Sequence, residues 1–257
     1  MESVELEQLA AAIAEELLTA NGAVRANVAE LRTAPGAVDP AIAPLIDHTL
    51  LRPDATAAEV RTLCAEARQY GFASVCVNPA RIALVAAELR GSKVKACSVV
   101  GFPFGATFTE AKRLEAEVAI RAGAVEVDMV INIGALKDRD YDTVRNDIHG
   151  VAQTTHAGKA ILKVIIETGL LDDTEKSIAC ALAKVAGADF VKTSTGFAKG
   201  GATAADIALM RRVVGPELGI KASGGVRTLE GLRGLVHAGA TRIGASAGVQ
   251  LVEASRR

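Results

Sequence analysis

The sequence predicts an α/β protein whose main body is a (β/α)8 barrel, preceded by an N-terminal helical extension. Three observations favour this fold. The chain has 257 residues, close to the roughly 250 that are typical of one such barrel. Half of the residues are hydrophobic but only 3% are aromatic, which suits aliphatic parallel strands covered by helices. From about Leu45 onward, a short apolar strand followed by a helix recurs along the chain.

Residues 1–40 are predicted to lie outside the barrel. Apolar positions recur at helical spacing from about Glu5 to Leu18, and Asn21-Gly22 ends this pattern. A second short helix is predicted to run to about Leu31. We therefore divide the chain into an N-terminal helical extension, residues 1–40, and a barrel, residues 41–257.

The barrel strands are predicted where short, apolar, β-favouring segments stand between helical ones. They are Leu45–His48, Ser74–Asn78, Val94–Val100, Val125–Ile131, Ala160–Glu167, Asp189–Thr193, Leu218–Ala222 and Thr241–Gly244. Eight such units indicate a closed barrel. A doubly wound open sheet is the alternative, but that fold usually has fewer units and often a glycine-rich turn after its first strand. Here the first strand ends in Asp47-His48-Thr49.

Helix ends are predicted from capping residues. Capping boxes are expected at Thr56 with Glu59, Thr107 with Glu110 and Asp172 with Glu175. Glycines are expected to end helices in the left-handed conformation. These are Gly71, Gly91, Gly123, Gly158, Gly187, Gly215 and Gly239.

Composition argues against several functional classes. The formal net charge is -1 and no block of Lys and Arg stands out, so neither nucleic acid nor a membrane is an expected partner. No basic and apolar leader precedes the first helix, and no apolar run reaches ~18 residues, so we expect a cytoplasmic protein. The four cysteines lack metal-binding spacing and the four histidines are scattered, so no metal site is predicted.

Three lysines stand inside predicted strands, at equal spacings of 29 residues: Lys163, Lys192 and Lys221. One strand–helix unit separates each pair, so all three could point into the barrel at similar heights. Ammonium groups on neighbouring strands ~4.8 Å apart repel each other, so we expect the pKa of one lysine to be lowered. A neutral amine can form a Schiff base with an aldehyde or ketone. In the alternative interpretation, each lysine pairs with a carboxylate and only stabilises the barrel.

Acidic residues at other strand ends could serve these lysines. Glu126 and Asp128 share one face of a strand by alternation, and Asp128 could accept a proton. The alternative for Asp128 is a structural salt bridge with Lys163. Asp47 could orient a substrate hydroxyl. Cys76 is assigned no covalent role, because a lone strand cysteine usually serves packing.

Small residues after three strands are predicted to hold an anion. Thr195 and Gly196 end a hydroxyl-rich run directly after Lys192. Gly224-Gly225 follows Lys221, and Gly244-Ala245-Ser246 ends the eighth strand. Barrels often bind phosphate in the loops after strands seven and eight, so we predict a phosphate site there.

Together these segments resemble the deoxyribose-phosphate aldolases, a family of class I (Schiff-base) aldolases, from about Ile46 to Gly248. The matching motifs are Ile46-Asp47-His48-Thr49, Val75-Cys76-Val77-Asn78-Pro79, Gly101-Phe102-Pro103, Glu126-Val127-Asp128-Met129-Val130, Leu162-Lys163-Val164-Ile165-Ile166-Glu167-Thr168, Val191-Lys192-Thr193-Ser194-Thr195-Gly196, Lys221-Ala222-Ser223-Gly224-Gly225-Val226-Arg227 and Gly244-Ala245-Ser246. The resemblance implies a (β/α)8 barrel that reversibly cleaves 2-deoxy-D-ribose 5-phosphate to glyceraldehyde 3-phosphate and acetaldehyde. It implies no metal and no organic cofactor.

By the same resemblance, Lys192 would be the Schiff-base lysine, and Lys221 would lower the pKa of its amine and take part in proton transfer. Asp128 would transfer protons through water, and Lys163 would support them. The phosphate would be held by Gly196, Gly224, Gly225, Gly244 and Ser246. Phe197 and Ala247 stand where some relatives carry a lysine and a second serine.

Two other functions remain open at this stage. One is a transaldolase-like enzyme that shares the lysine but uses a longer ketose, and the other is a non-catalytic phosphosugar-binding module. The expected partners are small phosphosugars and aldehydes, together with further copies of this chain in a dimer or tetramer.

Overall fold

Parallel strands close into a barrel in the part of the chain that this computed structural model describes, which is residues 42–256 with the isolated positions Gln8 and Ala12. The strands follow one another around the barrel in chain order, and the first pairs with the eighth. They are β1 Ile46–Leu50, β2 Ser74–Val77, β3 Lys95–Val100, β4 Glu126–Val130, β5 Ile161–Ile165, β6 Phe190–Lys192, β7 Gly219–Ser223 and β8 Arg242–Ala245. The predicted (β/α)8 fold is confirmed, and the open sheet is excluded. Apart from Gln8 and Ala12, the two helices predicted in residues 1–40 lie outside the described residues.

Helices cover the outside of the barrel. They are α1 Ala57–Tyr70, α2 Ile82–Glu88, α3 Thr109–Arg121, α4 Ile133–Lys137, α5 Tyr141–Ala157, α6 Asp173–Val185, α7 Ala204–Val214, α8 Leu229–His237 and α9 Gly248–Ser255. The main apolar core lies between these helices and the outward faces of the strands, where Val127, Leu162 and Ile220 are fully buried. Within the described residues, none of these helices combines the length and the apolar character needed to cross a membrane.

Two of the three predicted capping boxes are confirmed. Thr56 and Asp172 each accept from the backbone N–H three residues on, and Glu59 and Glu175 reach back to them. The third box is wrong, because α3 begins at Thr109 after Phe108, which makes no side-chain cap. The N–H of Thr107 donates instead to the carbonyl of Gly105, so Thr107 belongs to the preceding turn.

One predicted helix-ending glycine is also wrong. Gly158 has φ -83°, and the left-handed position is taken by Lys159 with φ 58°. A Cβ at Gly158 would lie 2.6 Å from a methyl group of Ile120, so this glycine permits close packing of α5 against α3. The other six have positive φ as predicted: Gly71, Gly91, Gly123, Gly187, Gly215 and Gly239.

Candidate active site

The interior of the barrel is charged. Every strand contributes at least one titratable side chain that is buried or mostly buried in the barrel interior. Seven of these are charged, and we call them the interior cluster: Asp47 on β1, Glu126 and Asp128 on β4, Lys163 on β5, Lys192 on β6, Lys221 on β7 and Arg242 on β8. The strand register explains the convergence, since Asp128 lies beside Lys163, Lys192 beside Lys221, and Lys221 beside Arg242.

Asp128 is the centre of the interior cluster. Its Oδ1 atom accepts from the Lys163 ammonium at 2.8 Å. Its Oδ2 atom accepts from Lys192 at 2.8 Å and from Lys221 at 2.7 Å. The three lysines are therefore brought together as predicted, and the salt bridge between Asp128 and Lys163 exists beside the other two contacts.

Carboxylates, and not the neighbouring cations, dominate the titration of two of these lysines. Burial alone would lower the pKa of Lys221, but Asp128 and Asp47 outweigh it and raise that pKa above its ordinary value. Burial would likewise lower the pKa of Lys163, and Asp128 is the leading group among those that raise it instead. Neither Lys163 nor Lys221 is therefore the one lysine whose pKa is expected to be lowered.

The acidic residues respond in the opposite direction. Burial alone would raise the pKa of Asp128, but Lys163, Lys192 and Lys221 hold it well below its usual range. The pKa of Asp47 is also held low, because Lys221, Lys163 and Arg242 together outweigh its burial. Both carboxylates are therefore ionised at neutral pH, and they neutralise part of the buried positive charge.

A cavity of about 260 Å³ opens above this cluster, at the C-terminal ends of the strands. Lys192 and Lys221 are the two members of the interior cluster that line it. Its other lining residues are Thr49, Leu51, Arg52, Thr195, Gly196, Phe197, Ser223, Gly224, Gly225, Val226, Arg227, Gly244, Ala245 and Ser246. All the glycines and hydroxyl residues predicted to bind substrate are thus part of its wall. Asp47, Asp128 and Lys163 are not, since they lie buried below.

Thr195 is already engaged by a residue that sequence reasoning missed. Its hydroxyl donates to Glu167 Oε2 at 2.5 Å, and its backbone N–H donates to the same oxygen at 3.1 Å. The hydroxyl also accepts from the N–H of Phe197 at 3.1 Å. Glu167 is buried and has φ 59°, the left-handed region that a non-glycine residue seldom adopts. Glu167 therefore fixes the turn that carries Gly196. Its position at the end of a predicted strand, where functional residues of a barrel are expected, could have identified it from the sequence.

The cavity mouth has one apolar side and one cationic side. Phe197 is 53% exposed and packs edge-on against Phe102, with ring centroids 5.3 Å apart. Arg227 is exposed and makes no hydrogen bond or ion pair with any other residue between 42 and 256. Arg52 is held by Asp54 and Glu59. Neither arginine was among the predicted site residues, because exposed arginines on loops carry no distinctive sequence pattern.

Cys76, Cys97 and Asp128 form a group whose ligand atoms all lie within 4.8 Å of one another, which is compatible with metal binding. The sequence spacing did not predict this group. However, three ammonium groups already contact Asp128. A cation would have to displace at least one of them against electrostatic repulsion, so these donors do not make a favourable metal site.

Comparisons with known proteins show the family to which the chain belongs. A family model described as "DeoC/LacD family aldolase" matches residues 41–252. A deoxyribose-phosphate aldolase from Bacillus licheniformis is 61% identical over 212 residues, covering 82% of this chain and 95% of that protein. One from Listeria monocytogenes is 59% identical over 215 residues, covering 84% and 96%.

Solved structures are similar as well. A crystal structure from Coccidioides immitis has a TM-score of 0.86 and 38% identity, and covers 100% of this chain and 99% of that one. The deoxyribose phosphate aldolase of Aeropyrum pernix, described as having a unique tetrameric structure, has a TM-score of 0.79 and 35% identity, with coverages of 84% and 91%.

Proposed function

The chain belongs to the DeoC/LacD family of aldolases, and on this premise we propose that it reversibly cleaves 2-deoxy-D-ribose 5-phosphate to D-glyceraldehyde 3-phosphate and acetaldehyde. One observation carries the proposal. Lys192 reaches the floor of a cavity walled by glycine-rich turns, while its ammonium contacts the buried Asp128. A reactive amine and an anion-binding wall are what a Schiff-base reaction on a phosphosugar requires.

Lys192 is the proposed nucleophile because it has the fewest negative partners. Among the described residues, Lys163 contacts three carboxylates, Lys221 contacts two, and Lys192 contacts Asp128 alone. The interior cluster holds four cations against three carboxylates. Loss of one proton removes the excess positive charge, and that proton leaves most easily from the least compensated lysine.

Asp128 and Lys221 are proposed to move protons. Asp128 Oδ2 lies 2.8 Å from one amine and 2.7 Å from the other, so one oxygen can pass a proton between Lys192 and Lys221. The free amine attacks the substrate aldehyde and, after loss of water, forms an iminium. The iminium accepts the electron pair of the bond between the second and third carbons as that bond breaks. Asp128, acting through a water molecule or through Lys221, takes the proton of the third-carbon hydroxyl.

The phosphate is proposed to bind at the glycine turns. Gly196, Gly224 and Gly225 have φ of 89°, 87° and 75°, a conformation that disfavours other residues, and all three line the cavity. Gly244 and Ser246 come just before α9, whose N-terminal N–H groups favour an anion. Arg227, which has no ion-pair partner among residues 42–256, adds a positive charge at the rim.

Reductive trapping tests this assignment. The protein is incubated with acetaldehyde and borohydride, and the adduct is located by peptide mass spectrometry. We expect one ethyl group on Lys192, and no adduct and no cleavage of deoxyribose 5-phosphate with Lys192→Arg, which keeps the ion pair with Asp128. An adduct on another lysine, or turnover by Lys192→Arg, would contradict the proposal. Phosphosugar binding without any adduct would instead indicate a non-catalytic binding module.

The reaction products separate this aldolase from a transaldolase-like enzyme, which shares the lysine but needs a longer ketose donor. Incubation with deoxyribose 5-phosphate alone should release acetaldehyde. A requirement for a ketose phosphate would refute the proposed substrate.

We also propose that the chain assembles with copies of itself and acts in the cytoplasm. The tetrameric relative and two exposed phenylalanines, Phe104 at 77% and Phe108 at 80%, support self-association. Light scattering should report a dimer or tetramer, and a monomer at micromolar concentration would contradict this.

Residues 1–40 are proposed to be an extension outside the barrel, because the family match begins at residue 41. A chain lacking them should still fold and cleave substrate.

A further inference from the structure

The interior cluster continues below the lysines to the opposite end of the barrel, where Arg242 contacts Asp47 and Glu126. We propose that Arg242 and Glu126 are positioning residues that set the pH at which Lys192 becomes a free amine, by fixing the net charge of the interior cluster. This inference rests on the proposed function of Lys192. Neither residue lines the cavity, so neither would touch substrate.

Two series of contacts connect Arg242 to the proposed nucleophile. In the first, Arg242 Nη1 lies 3.0 Å from Glu126 Oε2, and the same carboxylate oxygen lies 2.6 Å from Lys163 Nζ. Lys163 then contacts Asp128 at 2.8 Å. The path ends at Lys192, which contacts the other oxygen of Asp128.

The second series runs through Asp47. Arg242 Nη1 donates to Asp47 Oδ1 at 2.7 Å, and Asp47 Oδ2 lies 2.5 Å from Lys221 Nζ. Lys221 then donates to the oxygen of Asp128 that also contacts Lys192. The intervening side chains are buried, so little solvent screens Arg242 from Lys192.

Charge counting predicts whether loss of the Arg242 charge or of the Glu126 charge makes proton release from Lys192 harder or easier. With Arg242 present, four cations face three carboxylates, and releasing a proton from Lys192 balances them. Without the Arg242 charge, the cluster is balanced with Lys192 still protonated, so release of that proton becomes harder. Without the Glu126 charge, four cations face two carboxylates, and release becomes easier.

Other titratable groups near the cluster do not alter these signs. On β3, burial raises the pKa of the Cys97 thiol well above its ordinary value, so it is neutral. On β2, a hydrogen bond with Cys97 is the leading cause that lowers the pKa of the Cys76 thiol, and this residue is the same in the variants of Arg242 and Glu126. Glu167 binds Thr195, Arg52 is paired at the surface, and Arg227 lies at the exposed rim. These charges are the same in every variant compared below.

The test is the pH dependence of borohydride trapping on Lys192, measured as the pH of half-maximal adduct formation. Charges about 10 Å apart at an effective dielectric constant near 20 interact by roughly one pH unit. We expect Arg242→Gln to raise the midpoint by about one unit and Glu126→Gln to lower it by about one unit. The double variant restores the wild-type count of one excess cation, so its midpoint should return to within roughly 0.3 units.

Structural damage alone could not produce this result. Two packing defects would both reduce the amount of adduct, and they would not shift the midpoint in opposite directions or cancel. Arg242→Lys keeps the positive charge and changes the contacts. This variant should therefore keep the wild-type midpoint even if its melting temperature is lower. It also covers the case in which Glu126→Gln does not fold, since Arg242→Gln and Arg242→Lys then give the decisive contrast.

Two outcomes would overturn the inference. One is equal midpoints in wild type, Arg242→Gln and Glu126→Gln, and the other is a shift of both variants in the same direction. Both outcomes can be interpreted only if the wild-type protein forms the adduct on Lys192. Absence of that adduct from wild type would instead contradict the proposed function itself, so the two failures are distinguishable.

Discussion

Two buried ionic regions in this molecule behave in opposite ways. Between α3, α5 and the end of β4, Lys112 donates to the Val130 carbonyl at 2.9 Å and to Asp147 at 2.5 Å. Burial there lowers the pKa of Lys112 and raises that of Asp147, although each faces the other. In the interior cluster, burial is outweighed, because the pKa of Lys221 is raised and that of Asp128 is lowered.

The number of partners explains the difference. One counter-charge does not offset the loss of water around Lys112, whereas two or three opposite charges do so for Lys221 and Asp128. Lys112 and Asp147, which we call the outer pair, are also balanced, one cation against one carboxylate, and they do not line the cavity. The interior cluster has four cations against three carboxylates, and two of its members, Lys192 and Lys221, line the cavity. An isolated buried pair is therefore a structural feature, while an unbalanced buried network can hold a proton ready for chemistry.

The largest expected effect comes from Asp128→Asn, which removes the negative charge shared by three lysines. Breaking a buried ionic contact of this kind costs about 3–5 kcal/mol of unfolding free energy. Loss of the proton acceptor should lower kcat by roughly 10³-fold. Urea titration and turnover of deoxyribose 5-phosphate measure both, and wild-type kcat in this variant would remove Asp128 from the proposed mechanism.

Asp147→Asn is the matched change in the outer pair. It leaves Lys112 buried beside a neutral amide, so we expect a loss of about 3 kcal/mol in unfolding free energy. Because this pair is not part of the interior cluster, kcat and the trapping midpoint of the folded protein should stay within about twofold and roughly 0.2 pH units. A shift of the midpoint as large as that of Arg242→Gln would show that any buried charge acts on Lys192, and the comparison would fail.

Acid unfolding sharpens the contrast further. The pKa of Asp47 is held low in the folded protein, so its stabilising contribution is complete above an unfolded value near 3.9 and is lost as pH falls through the folded value. Asp47→Asn should flatten the loss of stability below about pH 4, by up to roughly 1.4 kcal/mol per pH unit. Asp147→Asn should not flatten it, because the pKa of Asp147 is raised. Unfolding free energies at pH 2–5 test both, and equal slopes for wild type and Asp47→Asn would refute the expectation.

Sequence reasoning predicted most members of the interior cluster, but it did not predict how many positive and negative charges the cluster holds. Regular spacing of Lys163, Lys192 and Lys221 was enough to bring them together, because one strand–helix unit advances the chain by one barrel strand. The role of Arg242 was not predictable in the same way. It opens β8 and resembles a surface residue until barrel closure sets it beside Glu126 from the opposite wall.

Missed features elsewhere share this origin in tertiary contact. Lys112 and Asp147 stand on separate helices, and no local pattern links them. Gly158 was assigned to a helix end from its position, but the packing of Ile120 determines why glycine is needed there. The raised pKa values of Lys163 and Lys221 were not foreseen for the same reason, since the carboxylates that raise them come from strands remote in sequence.

The smallest expected effect belongs to the neutral members of the barrel interior. Cys97 Sγ lies 3.2 Å from Asp128 Oδ1 and 3.4 Å from Lys163 Nζ, closer to the lysines than Arg242 is by either series of contacts. Cys97→Ser keeps a neutral donor of similar size, so it should cost about 1 kcal/mol in stability and move the trapping midpoint by less than roughly 0.2 pH units. Cys76→Ser should behave alike. If Cys76 instead carried a negative charge at neutral pH, its replacement would lower the midpoint as Glu126→Gln does, and the count of four cations against three anions would be wrong. Proximity without charge should therefore leave Lys192 unchanged, and that is the difference between packing beside the interior cluster and contributing to its electrostatics.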